Sequence, residues 1–112
     1  MKGNNLMNIV NLTPHEIKIV KENDCMVINP SGMVARCEQN QILIGRVNGV
    51  EIYKTNLGEV KDLPKSNRDT IYITSMVVAQ AVKNKRNDVF IPFDMIRDEK
   101  GRIIGCRSLA QV

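Results

Sequence analysis

The spacing of hydrophobic residues changes from every second position to every third or fourth within residues 70–92, TIYITSMVVAQAVKNKRNDVFIP. The alternation over residues 70–74 predicts a strand, and the helical spacing over residues 76–85 predicts a short helix. Ser75 lies between them and is one of the residues preferred as a helix N-cap. Residues 88–92 predict a returning strand, so a β-α-β unit is expected here. The buried stripe of the helix is predicted to contain Val78, Ala81 and Val82.

Two apolar runs, residues 43–47 and 50–54, are separated by Asn48 and Gly49. The Asn-Gly pair favours the type I′ turn of a two-residue hairpin, because both positions need a positive φ. The two runs are therefore predicted to pair with each other as antiparallel strands.

Shorter periodic runs predict further strands between turn signals. Residues 16–21 alternate strictly, so Ile17 and Ile19 are expected to be buried. Residues 38–41 are expected to form a polar connector, and residues 56–69 an ordered or flexible loop. The other strands are predicted at residues 6–12, 25–28, 33–37 and 103–109. We expect one β-rich domain over residues 1–112, α+β or mixed α/β, with one principal helix on a sheet of five to seven strands.

The charge and the aromatic content of the chain limit the kinds of molecule that it is expected to bind. The chain carries a net charge of +4 and has a pI of about 9.1, which suits an anionic ligand or an acidic protein, although a basic solvated surface would look the same. Aromatic residues make up only 4% and Lys and Arg are scattered, so base-stacking platforms and a dense basic stripe are not expected. Nucleic acid is therefore not the expected partner.

The cysteines and the N-terminus predict a cytoplasmic protein. The three cysteines are odd in number and show no CxxC spacing, so we expect reduced, buried thiols and no metal site. No signal peptide is expected, because residues 1–10 lack a long apolar core. No run approaches the length of a membrane span, so no membrane association is expected.

Few residues are candidates for chemistry. His15 is the only histidine, and it either serves a ligand or hydrogen-bonds its own turn. Ser75 either donates to a phosphate beside the helix start or acts only as a cap. Arginine suits bidentate recognition of phosphate, although surface ion pairs are the commoner role. The arginines expected to line a ligand groove with Ser75 are Arg36, Arg97 and Arg107.

No catalytic motif accompanies these residues. The chain lacks the phosphate-binding loop GxxxxGK[ST] and the nucleophile elbow GxSxG, so nucleoside triphosphate hydrolysis and serine hydrolysis are not expected. The acidic residues near turns show no pattern of an acid/base pair. A non-enzymatic protein without a cofactor is the prediction.

Several segments together resemble a group of small, mostly uncharacterised proteins encoded by phages, prophages and bacterial genomes. They are NLTPHEI at residues 11–17, NPSGMVAR at 29–36, IYITSMVVAQAV at 71–82 and IRDEKGRIIGCRSL at 96–109. The resemblance covers most of the chain and is weakest over residues 38–54. Asn29 stands where the group usually has Pro, and Thr74 where it usually has Val.

The resemblance implies a phage setting and no particular reaction. Small phage proteins without catalytic motifs often act by binding, so we expect a counter-defence protein, acting in the host cytoplasm, that sequesters a small anionic signal. A cyclic nucleotide or an ADP-ribose derivative is the expected ligand class, and a homo-oligomer is the expected form. The alternative is a protein-interaction module that inhibits a host protein directly, and an enzyme that degrades the signal ranks third.

Overall fold

The computed structural model of the chain describes residues 7–112, and this part contains eight strands and one helix. Leu6, the first residue of the strand expected at 6–12, lies outside the described residues. In chain order the elements are β1 (Asn8–Asn11), β2 (Ile17–Val20), β3 (Cys25–Ile28), β4 (Arg36–Val47), β5 (Val50–Lys61), β6 (Thr70–Ile73), α1 (Met76–Val82), β7 (Val89–Arg97) and β8 (Ile103–Ala110).

Six of the strands form one mixed sheet in the order β1-β6-β7-β8-β2-β3. The pairs β1/β6, β6/β7 and β2/β8 are parallel, whereas β7/β8 and β2/β3 are antiparallel. The sheet is nearly closed, because Asn11 at the end of β1 forms a backbone bridge to Pro30, just beyond β3. A strand-rich α+β fold with one helix agrees with the expectation, but the strands form two sheets, since β4 and β5 pair only with each other.

The core consists of three groups of buried side chains, almost all aliphatic. The burial expected for Ile17 and Ile19 is confirmed, since each is only 7% exposed. Parallel pairing in the sheet brings together residues that are far apart in sequence, and their burial removes apolar area from water. The groups are Ile17, Ile19, Ile73 and Cys106; Leu12, Ala35, Tyr72 and Val78; and Ala79, Val82 and Val89.

The β-α-β unit predicted for residues 70–92 is present. Its strands β6 and β7 pair in parallel, with Tyr72 opposite Val89. Ser75 is the N-cap of α1, as predicted: its backbone is extended (φ −68°, ψ 162°), and its hydroxyl accepts a hydrogen bond from the Val78 amide at 3.4 Å.

The helix is shorter than the sequence predicts. It ends at Val82 rather than Lys85, because the chain turns back there and the amides of Lys85 and Arg86 both donate to the Val82 carbonyl. With seven residues, the helix buries Val78, Ala79 and Val82, so Ala79 takes the place predicted for Ala81.

The hairpin predicted around Asn48 and Gly49 is present and longer than expected. Val47 pairs with Val50, and the turn residues have the positive φ values of 52° and 81° that a type I′ turn requires. Residues 38–41, expected as a connector, continue β4, and residues 56–61, expected as part of a loop, continue β5. Polar cross-strand pairs such as Asn40 with Asn56 extend the ladder. Because these residues are polar, the sequence shows no hydrophobic periodicity that would predict a strand there.

The remaining loop, residues 62–69, is held by a partly buried ion pair between Arg86 and Asp88. Arg86 donates to both carboxylate oxygens of Asp88, from Nε at 2.9 Å and Nη2 at 3.0 Å, and Nη2 also donates to the Pro64 carbonyl at 2.9 Å. The guanidinium lies 5.9 Å from the ring centroid of Tyr72, whose hydroxyl donates to the Lys65 carbonyl. These contacts tie the loop to the β6–β7 crossover.

The three cysteines are unpaired and differ in exposure. Cys106 is buried and Cys37 is half-buried, whereas Cys25 is exposed, against the expectation that each thiol would be buried. Cys25 begins β3, the last strand of the sheet, where only one neighbour covers it.

Candidate functional site

A groove of about 550 Å³ opens beside β2 and the start of α1. Its volume lies in the range of pockets that hold small metabolites, roughly 300–1,000 Å³. Four parts of the chain form it: the turn before β2 with β2 itself, the junction of β6 and α1, the middle of β7, and the start of β8. The lining residues are Thr13 to Lys18, Thr74 to Met76, Ile91, Pro92, Met95, and Ile103 to Cys106.

A hydrogen-bonded turn forms one wall. The buried side chain of Asn11 accepts from the Thr13 amide at 2.9 Å and from the Thr13 hydroxyl at 2.7 Å. Its Nδ2 donates to the His15 carbonyl at 2.7 Å, so the turn is fixed through backbone groups of His15. The imidazole takes no part in these hydrogen bonds and is exposed, against the alternative in which it bonds its own turn.

The junction of β6 and α1 forms the facing wall. The Thr74 hydroxyl is buried and donates to the Ser75 carbonyl at 2.9 Å. The Ser75 hydroxyl accepts the capping hydrogen bond from Val78, which leaves its own hydrogen to donate. Because α1 has only seven residues, its dipole adds little, and we count the Ser75 hydroxyl as the polar group of this wall.

The close approach of β2 to β8 forms the bottom of the groove. A Cβ at Gly105 would lie 3.0 Å from the Lys18 carbonyl oxygen, so a side chain here would crowd the backbone of β2. The Cys106 thiol, buried one residue later, contacts the same carbonyl at 3.6 Å. Burial and this contact make Cys106 part of the floor rather than an accessible nucleophile.

The lining is mainly apolar, with a few charged and hydroxyl groups. Met76, Met95, Ile103 and Ile104 are each between 42% and 53% exposed, so a hydrophobic surface faces the opening. Lys18 and Glu16 are the charged residues of the lining, and His15 also lines the groove. Apolar walls with a small number of polar groups are typical of sites that bind small molecules and fix their orientation.

The structure brings two of the expected site residues into this groove and leaves three outside its lining. His15 and Ser75 line it. Arg36 begins β4 opposite Lys61, Arg97 donates to the Gly101 carbonyl at 2.7 Å, and Arg107 pairs with Asp94 at 3.5 Å. A ligand role for these arginines stays a prediction, and it would require a different surface.

Sequence reasoning missed Lys18 and the apolar rim. Strict alternation places Lys18 on the outer face of β2, but it does not indicate which other strand lies beside β2. The neighbour is β8, paired in parallel through Ile19 and Cys106, which are separated by most of the chain. No local signal reports such a pairing.

The two carboxyl groups with lowered pKa values, Asp88 and Asp98, do not line the groove. Hydrogen bonds from Arg86 lower the pKa of Asp88, against a smaller opposing effect of burial. Backbone hydrogen bonds from Arg102 and Lys100 and the Arg102 side chain lower the pKa of the half-buried Asp98. Within residues 7–112, no cluster of three or more His, Cys, Asp or Glu is arranged to hold a metal.

Between residues 7 and 112, no helix has both the length and the hydropathy to cross a membrane. No protein-family model, curated protein or solved structure matches this chain.

Proposed function

We propose that this protein binds a small anionic, nucleotide-derived molecule in the groove beside β2 and does not transform it. The supporting observation is the composition of the lining, in which an apolar surface is combined with Lys18, His15 and the Ser75 hydroxyl. A ligand with a flat apolar part and an anionic part satisfies both kinds of surface.

The anionic part of the ligand is bound by the donors. The Lys18 ammonium and the Ser75 hydroxyl donate to phosphate oxygens, and His15 adds a further donor on the wall formed by residues 13–15. Glu16, also in the lining, opposes this preference, but the net charge of +4 favours approach of an anion.

The apolar part of the ligand lies on the methionine and isoleucine side chains. Met76 and Met95 are flexible and polarisable, so they adapt to the face of a base. The groove volume of about 550 Å³ accommodates a nucleotide-sized molecule. Cyclic nucleotides and ADP-ribose derivatives combine a base with phosphate groups, and they are our candidate ligand class.

The biological role that we propose for this binding is counter-defence in a phage-infected cell. The support is the resemblance of residues 11–17, 29–36 and 96–109 to small phage and prophage proteins. A protein of this kind acts in the host cytoplasm by lowering the free concentration of an immune signal.

Titration calorimetry against cyclic dinucleotides and ADP-ribose derivatives tests the proposal. We expect one class to bind, more weakly at higher salt, and Lys18→Ala to lose about tenfold or more in affinity. Lys21→Ala is the matched control, because Lys21 follows β2 but does not line the groove. Equal losses in the two variants would move the site elsewhere.

Two other outcomes contradict the proposal. If no candidate releases heat while a host protein is retained in a pull-down, the protein is an inhibitor of that host protein. If mass spectrometry of the incubated ligand shows products formed over many turnovers, the protein is an enzyme.

A further inference from the structure

The hairpin formed by β4 and β5 extends away from the rest of the molecule. Every residue from Glu38 to Glu59 is exposed, and only Cys37 and Val60 at its base pack against buried groups of the core. The molecule is correspondingly elongated, with principal extents of 56 × 39 × 26 Å. A two-stranded hairpin that stands alone in water is marginally stable at best.

The two faces of the hairpin differ. Residues opposite each other in the ladder share a face, and successive residues alternate between faces. Val47 opposes Val50, and Ile52 opposes Gly45 on the same face. We call this the apolar face of the hairpin, formed by Ile42, Val47, Val50 and Ile52.

The opposite face is mixed: it carries Leu43, Tyr53 and Leu57, but several of its polar side chains have partners within the chain. Arg46 pairs with Glu51 at 3.2 Å, and Glu51 also accepts from the Tyr53 hydroxyl at 3.5 Å. Thr55 donates to the Gln41 side chain at 2.9 Å. By contrast, Val47 and Val50 on the apolar face are each 60% exposed. A continuous exposed apolar surface of this kind marks an interaction site.

The strand edges point to the same conclusion. Within residues 7–112, β4 and β5 pair with no other strand, so both outer edges have free backbone donors and acceptors. Proteins normally protect exposed edges with short strands, prolines or inward-facing charges. Here the strands have 12 residues each and contain no proline. Two register shifts interrupt the ladder, but edges of this length beside an apolar face still indicate a surface that another chain covers.

We propose that the apolar face of the hairpin is the contact between two copies of this chain, related by a two-fold axis. A two-fold contact places the same patch on both sides, so the patch must be complementary to itself. The four side chains that define the face are uncharged, so their contact buries no charge. Lys54 lies opposite Ile42 on the same face, and its long flexible side chain allows the ammonium to stay in water at the rim of the contact.

The charge of the hairpin favours a second copy over an acidic protein partner. Between Arg36 and Lys61 there are four basic and three acidic residues, so the hairpin is nearly neutral although the whole chain carries +4. Two nearly neutral hairpins do not repel each other, and no local field attracts an acidic protein. Apolar centres with few charges are typical of homodimer interfaces.

The size of the hairpin sets the strength of the contact. Only one face enters it, so about half of the residues in two strands of 12 take part. A stable interface of standard size uses about 20–30 residues a side, so we expect a small contact that forms reversibly with concentration. The inference is independent of the ligand proposed for the groove.

Sedimentation equilibrium of the full chain tests the dimer. The expected species has twice the 12.6 kDa mass of the chain. Ile52→Glu places two carboxylates in the contact and is expected to weaken dimerisation by at least about a hundredfold. Thr55→Glu is the matched control, because it adds the same charge to the same strand on the opposite face.

A measurement without mutation covers the case in which Ile52→Glu fails to fold. Hydrogen exchange of the unmodified protein, compared at low and high concentration, is expected to show slower exchange in β4 and β5 as the dimer forms. A monomer at every accessible concentration overturns the inference, whether or not a host protein is captured. A dimer that survives Ile52→Glu, or that shows no concentration-dependent protection in the hairpin, also overturns it.

Discussion

The side-chain nitrogen Nδ2 of Asn11 donates a hydrogen bond of 3.1 Å to the carbonyl oxygen of Ile28, and so joins β1 to β3 across the gap in the sheet. A backbone hydrogen bond of 3.0 Å from Ser31 to the Asn11 carbonyl lies beside it. The same amide holds the turn at Thr13 and His15, so one buried side chain both closes the sheet and shapes a wall of the groove.

Replacing Asn11 with alanine should lower the free energy of unfolding by about 2–4 kcal/mol, because the backbone groups of Thr13, His15 and Ile28 lose their partner in a partly buried region. Urea denaturation measures this loss. Asn8→Ala is the control, since Asn8 is an exposed residue of the same strand and should change stability little. Equal stability of the two variants would show that the amide is not needed to close the sheet.

Ser75 allows capping and ligand binding to be separated. Ser75→Ala should cost about 1 kcal/mol of stability through loss of the cap and should also weaken ligand binding. Ser75→Asp retains a capping side chain but places a negative charge in the groove. We expect it to keep the thermal stability and to lose more affinity than Ser75→Ala. Wild-type affinity in Ser75→Asp would place the anionic part of the ligand away from this residue.

The packing of β2 on β8 should be sensitive to a single methyl group. Gly105→Ala brings its Cβ to about 3.0 Å from the Lys18 carbonyl oxygen, which is backbone and cannot move aside easily. Such overpacking should cost about 1–3 kcal/mol in denaturant unfolding. Gly45→Ala is the control, because no atom lies within 4 Å of its Cβ. A neutral Gly105→Ala would mean that the two strands separate without cost.

The ion pair of Arg86 and Asp88 should make stability depend on pH in the acid range. The folded-state pKa of Asp88 is lowered from its ordinary value of 3.8, chiefly by the Arg86 hydrogen bonds. The unfolded state therefore takes up the proton first as the pH falls. The stabilisation is complete above the unfolded-state pKa and is lost as the pH falls through the folded-state pKa.

Unfolding measured between pH 7 and pH 2 tests this linkage. Asp88→Asn should be less stable than the wild type at pH 7, and the difference should shrink toward acid pH. Asp94→Asn is the comparison, because its pair with Arg107 is exposed on both sides and contributes little. A constant difference between Asp88→Asn and the wild type would show that the carboxylate charge does not contribute.

Sequence reasoning predicted the elements that are determined by a few adjacent residues, such as a turn or a helix cap. Asn48 and Gly49 located the hairpin because both have the positive φ that their turn requires, and Ser75 located the start of α1 because a hydroxyl satisfies a free helical amide. Hydrophobic periodicity did not predict the polar parts of β4 and β5. Asn40 and Asn56 face each other in a ladder that extends well beyond the apolar runs.

Sequence reasoning identified only some of the residues that line the groove. His15 and Ser75 stood out as the one histidine and as the cap, and both line it. Lys18 did not stand out, because its place in the site depends on β2 lying beside β8. The arginines were chosen by chemical type alone, and chemical type does not indicate which surface a side chain faces.

The pairing of β2 with β8 has a consequence for how the chain folds as it is synthesised. β2 cannot pair with β8 until Cys106, the partner of Ile19, has been synthesised. β4 and β5 need only the two-residue turn between them. Hairpins form in about 1–10 μs, and ribosomes add about 5–20 residues per second. The hairpin is therefore complete seconds before the sheet. During that interval its apolar face is already present on the nascent chain, and neighbouring ribosomes on one message carry the same surface within reach of each other.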